Sequence, residues 1–375
     1  MVMVQADKHS LHLTLQRNID DSYDIVFGFD IFQEIGDWLK AERLGSKHAI
    51  ITDSNVRPLH ASRLEETLQR ADLKTDTFVI PAGEANKRAE VCLDIIGQMS
   101  QRKYGRDSVI LALGGGVVGD VAGFIAAIYN RGIPFVQIPT SLLAMADASV
   151  GGKTGVDLRF GKNLVGAFWQ PKRVYIDIDT LKTLPDEEYV NGLAETIKHG
   201  VIYDRDFFNF LEEHMWLILQ RDAPTALQIA RKNCMIKGSV VEKDPNERGL
   251  RRILNYGHTA GHAIESLSDY KMPHGHCVSI GMMIAGRISR DLCGLSQREL
   301  DRQERLLIAT GLPVTIPSHI PDDDIIEVTL RDKKAKDGKA RYSLPKRIGE
   351  MNDYGGAWAT YVPEGIVRSA LRATR

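Results

Sequence analysis

The 375-residue sequence is poor in cysteine and scatters what it has. Cys92, Cys234, Cys277 and Cys293 form no CxxC pair, so neither a disulfide framework nor a thiolate zinc site is suggested. Long apolar runs are also missing. No uncharged stretch approaches the ~20 residues that cross a bilayer, and Asp7, Lys8 and His9 stand where a signal peptide would need its apolar core. Charge of one sign is not in excess: the net formal charge is −1. That argues against nucleic-acid and membrane-surface partners and makes any anion site a local feature. Low-complexity linkers and internal repeats are absent as well. A protein of the reducing cytoplasm is expected.

What is present suits two domains with a sizeable core: 43% hydrophobic and 26% charged residues. In the first half, strand and helix signals alternate. Leu11, Leu13 and Leu15, then Tyr23, Ile25 and Phe27, alternate with polar residues as opening strands do. HAIITDSN, TDTFVI, SVILAL, FVQIP and RVYIDID read as further strands, and LHASRLEETLQRA and RAEVCLDIIGQMSQRK as helices between them. This alternation predicts a Rossmann-like α/β domain with a parallel sheet. From about residue 186 to 315 the spacing is helical almost throughout. The domain boundary is placed at Pro185, giving an α/β domain over 1–185 and a mainly α-helical domain over 186–375.

Three groups of residues carry chemistry. Gly114, Gly116 and Gly119 satisfy GxGxxG between a strand and a helix, where backbone N–H groups can cradle a pyrophosphate. The acid that a dinucleotide fingerprint wants downstream is missing, and Asp53, at the end of an earlier strand, is the candidate instead. Asp120 follows the last glycine, and PAGEANK offers Glu84 and Lys87. Second, Arg131, Lys153, Lys162, Asn163 and Lys198 lie in glycine-bearing, loop-like contexts or near a helix start, and RDKK adds Lys333 and Lys334. Such a concentration in a nearly neutral chain favours a phosphate or carboxylate pocket. Third, His258, His262 and Glu265 share a helix face, with His274 and His276 in the turn beyond. Imidazoles with a carboxylate and an open position are a catalytic metal design. Spacing nominates His258 and His262 as a ligand pair and leaves the third ligand open. Glu195 and Lys198, three apart, share another helix face.

GGGVVGDVAGF, QIPTSLLAMADASVGGKT, GKNLVGAFWQP, LKTLP, GLAETIKHGVI, LRRILNYGHTAGHAIE, HGH and RDKK, collinear from about residue 50 to 345, resemble the 3-dehydroquinate synthases of the sugar-phosphate cyclase superfamily. The resemblance implies conversion of 3-deoxy-D-arabino-heptulosonate 7-phosphate to 3-dehydroquinate and phosphate. This is a step toward aromatic amino acids, performed by transient NAD-dependent oxidation, phosphate elimination, re-reduction and intramolecular aldol closure. It implies NAD and a divalent metal (zinc or cobalt) as cofactors, a carbon–oxygen lyase and a homodimer. By the family pattern the metal ligands are Glu195, His258 and His274, which replaces the spacing-based pair, and His262 lies beside the substrate.

Lys153, Arg131, Lys162, Asn163, Lys237, Arg251, Asn255 and Lys333 match positions that hold the substrate's carboxylate, hydroxyls and phosphate; Asp147 and Lys198 match polar active-site positions. Nucleotide contacts carry over to Asp53, Asn55, Glu84, Lys87, Gly115, Gly116, Val117, Val118, Gly119, Asp120, Thr140, Ser141, Thr180, Leu181, Lys182 and Thr183, with Lys153 and Lys162 shared. Three positions depart from the pattern: His276 replaces a common glutamate, Ser141 a threonine and His199 a frequent tyrosine. A metal-dependent polyol dehydrogenase and another sugar-phosphate cyclase are the competing readings. The first would release NADH and needs fewer anion-directed cations; the second tends to change the lysines retained here.

Overall fold

All six apolar runs from Tyr23 onward become strands of one sheet. The computed structural model describes residues 4–7, 10–13, 15, 19–158, 161–331 and 340–375. Strands β1 (Val4–Asp7) and β2 (Ser10–Leu13) pair with each other outside this sheet. The sheet itself comprises β3 (Asp24–Gly28), β4 (Lys47–Asp53), β5 (Thr75–Ile80), β6 (Ser108–Gly114), β7 (Phe135–Pro139) and β10 (Arg173–Asp177). It is parallel throughout, in the order β3-β10-β7-β6-β4-β5. Its faces follow from side-chain alternation. Ile50, Leu111, Val136 and Ile138 pack under α1 (Phe32–Ala41) and α2 (Ser62–Arg70). Ile51, Ile110, Ala112 and Phe135 pack under α3 (Ala89–Gln101) and α4 (Gly116–Ile128). The chain steps from β4 outward to β5, then returns past β4 to β6. The topological switch, where open α/β sheets bind ligands, therefore lies between the ends of β4 and β6.

One segment departs from expectation. GGKTGVDL and GKNLVGAF, read as glycine-bearing and loop-like, form an antiparallel hairpin of β8 (Lys153–Leu158) and β9 (Gly161–Phe168). Gly155 opposes Gly166, where a side-chain carbon on either would meet the opposite backbone within 2.7 Å. Those glycines serve close strand approach; the local sequence alone makes them resemble loop residues.

The helical half begins with α5 (Asp186–Tyr203), continuing through α6 (Arg205–Leu219), α7 (Ala223–Lys243), α8 (His258–Leu267), α9 (His274–Cys293), α10 (Gln297–Ala309), α11 (Asp322–Arg331) and α12 (Glu364–Arg372). Three acids in the first turn of α5 complement its dipole. Beyond them, α5 is buried on every face from Asn191 to Ile202. One hydrophobic core runs from Val174 and Ile176 of β10 through Leu193 and Ile197 of α5 to Ile280 and Ile284 of α9. The two halves therefore share an interior.

Glycine sets how closely the central helices approach. A side-chain carbon at Gly281 of α9 would lie 1.9 Å from the Gly257 carbonyl, and one at Gly275 would lie 2.0 Å from the Asn191 carbonyl. Gly257, the residue immediately before α8, lies in the left-handed region at φ 78°. Close contact of α9 with both α8 and α5 is what brings side chains from three helices to one point.

A buried polar network ties α5 to α7. Asn233 donates to Thr196 Oγ1 at 3.0 Å, and its carbonyl oxygen lies 2.9 Å from His199 Nδ1. His199 is wholly buried and its Nε2 has no hydrogen-bond partner. Burial, with Lys198 next to it, lowers the imidazole from 6.5 to about 4.

Two outcomes follow. Gly281→Ala should destabilise the protein by at least about 1–3 kcal/mol through overpacking, whereas Gly238→Ala on α7, where nothing lies within 4 Å, should stabilise it by about 0.5–1 kcal/mol; denaturant unfolding of both variants measures the difference. For His199, as pH falls from about 6.5 to about 4, the unfolded chain takes up a proton that the folded chain refuses, so stability declines across that window. Between pH 7 and 5 the wild type should lose about 2 kcal/mol more than His199→Gln. Equal losses would show that the histidine is not held neutral.

Candidate active site

Side chains from the carboxyl-end loops of the parallel strands and from α5, α8 and α9 are linked by contacts that run through the hairpin. On the sheet side the glycines divide their work. A side-chain carbon would come within 2.6 Å of Val118 at Gly114 and 2.9 Å of Gln137 at Gly119, so these two serve close packing. At Gly115 and Gly116 the nearest atoms are 3.3 and 3.4 Å away. There α4 starts, and the first N–H groups of a helix, here those of Gly116, Val117 and Val118, lack intrahelical partners. That is a cradle for an anion. Thr140 donates its N–H to the Gly114 carbonyl at 3.0 Å, and Ser141 Oγ faces Gly115. Asp53 closes β4, and its Oδ1 accepts the N–H groups of Asn55 at 2.8 Å and Val56 at 2.9 Å, ordering the turn beside the switch point. Thr180, Leu181, Lys182 and Thr183 form the 3₁₀ turn after β10. Thr180 and Leu181 are buried, whereas Lys182 is exposed and paired with Asp179. Thr183 Oγ1 lies 2.8 Å from His60 Nε2.

Cations and acids connect this edge to the helical half. Lys87 is buried; its Nζ lies 2.5 Å from Asp120 Oδ2 and 2.7 Å from Asn163 Oδ1. Lys162, projecting from β9, sits 2.8 Å from Glu84 Oε1 on the sheet side and 2.8 Å from Glu265 Oε1 on α8. Burial opposes its charge, but the two carboxylates outweigh it and push its pKa up. His274 and then Lys162 bring Glu265 down to about 2 against the effect of burial.

Beyond Glu265 lies a group of metal-ligand character. Potential ligand atoms of Glu195, His258 and His274 all fall within 4.8 Å of one another. Glu195 Oε1 is 3.6 Å from Nε2 of both imidazoles. It is buried without a hydrogen-bond partner, and Lys198 pairs with Oε2. Burial alone would raise this carboxyl; Lys198, His258 and His274 hold it well below the usual range. His258 Nδ1 lies 3.0 Å from the Tyr256 carbonyl, which assigns it the proton and leaves the Nε2 lone pair facing Glu195. An orphaned carboxylate oxygen facing two imidazole nitrogens fits a divalent cation. His262 falls in a second group with Glu265 and His274, its ring centroid 5.1 Å from that of His258. His276 opens α9 beside His274 but belongs to neither group.

A further cluster adjoins. Lys237 Nζ pairs with Asp147 Oδ1 at 2.8 Å, and the Lys237 and Lys198 charges pull Asp147 down although burial opposes them. Arg251 is 1% exposed; it donates to the Gly151 carbonyl at 3.1 Å and to the Pro245 carbonyl at 2.7 Å. Lys153 pairs with Glu247, whose other oxygen accepts from Asn255 Nδ2 at 2.7 Å. Glu247 was not anticipated. Its one sequence signal is an acid in the turn after α7, between Asp244-Pro245 and Arg251, and it adopts φ 57° there. Arg131 stands apart: it is exposed at φ 69° in the turn after α4, with no hydrogen bond or ion pair to these residues. Lys333 lies outside the described residues.

Comparison with known proteins agrees with the motifs. Residues 77–191 match the family described as 3-dehydroquinate synthase N-terminal, and residues 192–335 match 3-dehydroquinate synthase C-terminal. A 3-dehydroquinate synthase of Desulforamulus reducens is 47% identical over 88% of this chain and 92% of its own length. One of Ruminiclostridium cellulolyticum is 44% identical over 92% and 94%. Among solved structures, the 2-epi-5-epi-valiolone synthase of Streptomyces hygroscopicus, with NAD+ and Zn2+ bound, superposes with a TM-score of 0.86 at 28% identity, covering 97% of this chain and 99% of that one. The chain belongs to the 3-dehydroquinate synthase family.

Proposed function

We propose that the chain converts 3-deoxy-D-arabino-heptulosonate 7-phosphate to 3-dehydroquinate and phosphate, as a carbon–oxygen lyase that uses NAD+ and a divalent metal, zinc or cobalt. The observation that carries this reading is the unbroken line of contacts Glu84–Lys162–Glu265–His274–Glu195, which joins the nucleotide-type edge of the sheet to the metal-type cluster. Redox and Lewis-acid chemistry on a single sugar needs both in one cleft. The 44–47% identity to 3-dehydroquinate synthases supports this reaction over that of a polyol dehydrogenase.

Bound together, the nucleotide would supply a reversible hydride acceptor and the metal a Lewis acid toward the sugar's oxygens. Gly115, Gly116, Val117, Val118, Thr140, Ser141 and Asp53 would hold the nucleotide, with Thr180, Leu181, Lys182 and Thr183 along the neighbouring strand end. Glu195, His258 and His274 would hold the metal. The chain's own part is mostly electrostatic and positional. Lys153, Lys162, Lys237, Arg251 and Asn255 give a nearly neutral protein a local surplus of donors for a phosphate and a carboxylate. Arg251 and Lys237, both buried, are fixed in place before the substrate arrives, so little reorganisation accompanies charge development on the departing phosphate. Glu247 holds Lys153 and Asn255 to one point, and His262, half-buried beside the metal-type group, is placed to exchange a proton with a substrate hydroxyl. The family resemblance extends the reading to a cytoplasmic homodimer. Among the described residues, no helix is long and apolar enough to cross a membrane.

Given the heptulosonate phosphate, NAD+ and Zn2+ or Co2+, the purified protein should release phosphate with no net NADH. Stoichiometric NADH from glycerol or a related polyol would instead identify a dehydrogenase. In His258→Ala, metal content and phosphate release should fall together, the rate by at least about 100-fold, with the helical circular-dichroism signal retained. Retention of both metal and rate would refute the ligand assignment.

A further inference from the structure

The two imidazoles beside Glu195 are supported in different ways. His258 turns its outer nitrogen to a neutral acceptor, the Tyr256 carbonyl. His274 turns its outer nitrogen to a charge: Nδ1 lies 3.4 Å from Glu265 Oε2, while Nε2 faces Glu195 at 3.6 Å. Glu265 is 3% exposed, and its remaining oxygen holds Lys162 at 2.8 Å. Lys162 in turn holds Glu84, in the turn that follows β5 on the sheet side. The path is assembled from separate parts of the chain: the turn after β5 supplies Glu84, the hairpin Lys162, α8 Glu265, α9 His274 and α5 Glu195. The path therefore exists only while the two halves are packed together.

A carboxylate behind a histidine ligand does two things. It fixes the ring and its tautomer, and it makes the inner nitrogen a stronger donor. How strongly it does so depends on how much of its charge is already neutralised elsewhere. Lys162 neutralises Glu265 at contact distance in a buried setting, where screening is weak. When Lys162 turns toward an anion in the cleft, the full charge of Glu265 falls on His274. The ligand becomes more basic and the ion is held more tightly. By linkage, an occupied metal site then favours the state in which Lys162 has left Glu265 and is free to hold that anion.

We propose that Glu265 is a positioning residue that couples the ion at Glu195–His258–His274 to the occupancy of Lys162, so that metal and anionic substrate bind cooperatively through a single carboxylate. This rests on the metal reading given above. The competing role is a direct one: Glu265, His262 and His274 also have ligand atoms within 4.8 Å of one another and could seat a second ion. The ammonium of Lys162, 2.8 Å from Glu265, opposes a cation at that place.

Zn2+ alone, titrated into the full metal-free chain against a chromophoric chelator, tests the coupling without any turnover. The wild type should bind one equivalent. Glu265→Gln, which keeps the shape and an acceptor oxygen, should weaken binding about 10–100-fold. Lys162→Met should tighten it, and the tightening should be larger with Glu265 present than in the Glu265→Gln background, a non-additivity that a merely structural role would not produce. With Co2+ as the probe, the visible ligand-field band should shift in Glu265→Gln. Wild-type zinc affinity in Glu265→Gln, or strictly additive effects of the two substitutions, would overturn the proposal. So would a second equivalent of zinc in the wild type that Glu265→Gln loses, since Glu265 would then be a ligand. If the wild type binds no zinc, the metal reading itself has failed, which is a different result.

Discussion

A carboxylate with no access to water governs the architecture of the helical half. Glu195 is fully buried at the middle of α5, and its Oε1 has no hydrogen-bond donor. An isolated charge in such a place is unfavourable by several kcal/mol even after relaxation, so the surrounding structure has to supply positive charge at short range. Lys198 supplies it from one turn along the same helix, and the other carboxylate oxygen faces the ring nitrogens of His258 and His274 on two further helices, the place where a bound cation would complete the compensation. Those helices reach Glu195 only because Gly257, Gly275 and Gly281 let backbone meet backbone. The same crowding that makes the ion pair tolerable also produces the geometry of a metal site. A stability problem and a chemical site are here one arrangement.

The second organising feature is the hairpin that bridges the two halves. Its Lys162 lies between a carboxylate from each half, and its Lys153 meets Glu247 of the helical half. Every cation proposed for the substrate, where described and apart from Arg131, already has an anionic or carbonyl partner. A phosphorylated acid must therefore compete for these groups instead of filling a vacant positive hole. That favours selectivity over raw affinity, because a neutral polyol offers nothing to replace the carboxylates it would displace.

Much of the fold was legible because its signals are local. Buried parallel strands read as short apolar runs, and HAIITD, SVILAL and RVYID are nearly unmixed in this respect. The hairpin was not legible: Leu164 and Val165 of β9 are exposed and Gly155 and Gly166 look like loop residues, so neither alternation nor burial marks the strands. In the site, the histidine spacing pairs His258 with His262, since residues four apart share a helix face. The structure instead groups His258 with His274 and Glu195, as the family resemblance implied, while His262 falls beside Glu265. Glu247 went unread because a single acid in a turn has no periodic signature.

Local pattern and motif order were enough to settle that a parallel α/β sheet precedes a helical half, and which family the chain belongs to, because periodicity and collinear motifs are properties of neighbouring residues. What needed the folded chain were relations between side chains on different elements, some a few residues apart in sequence and others about a hundred. These are the partners of Lys162, the acid that gathers Lys153 and Asn255, the division of glycines between packing and cradle, and the carboxylate behind His274. Such relations depend on how closely helices and strands approach one another, a distance set by packing in three dimensions that no stretch of sequence encodes by itself.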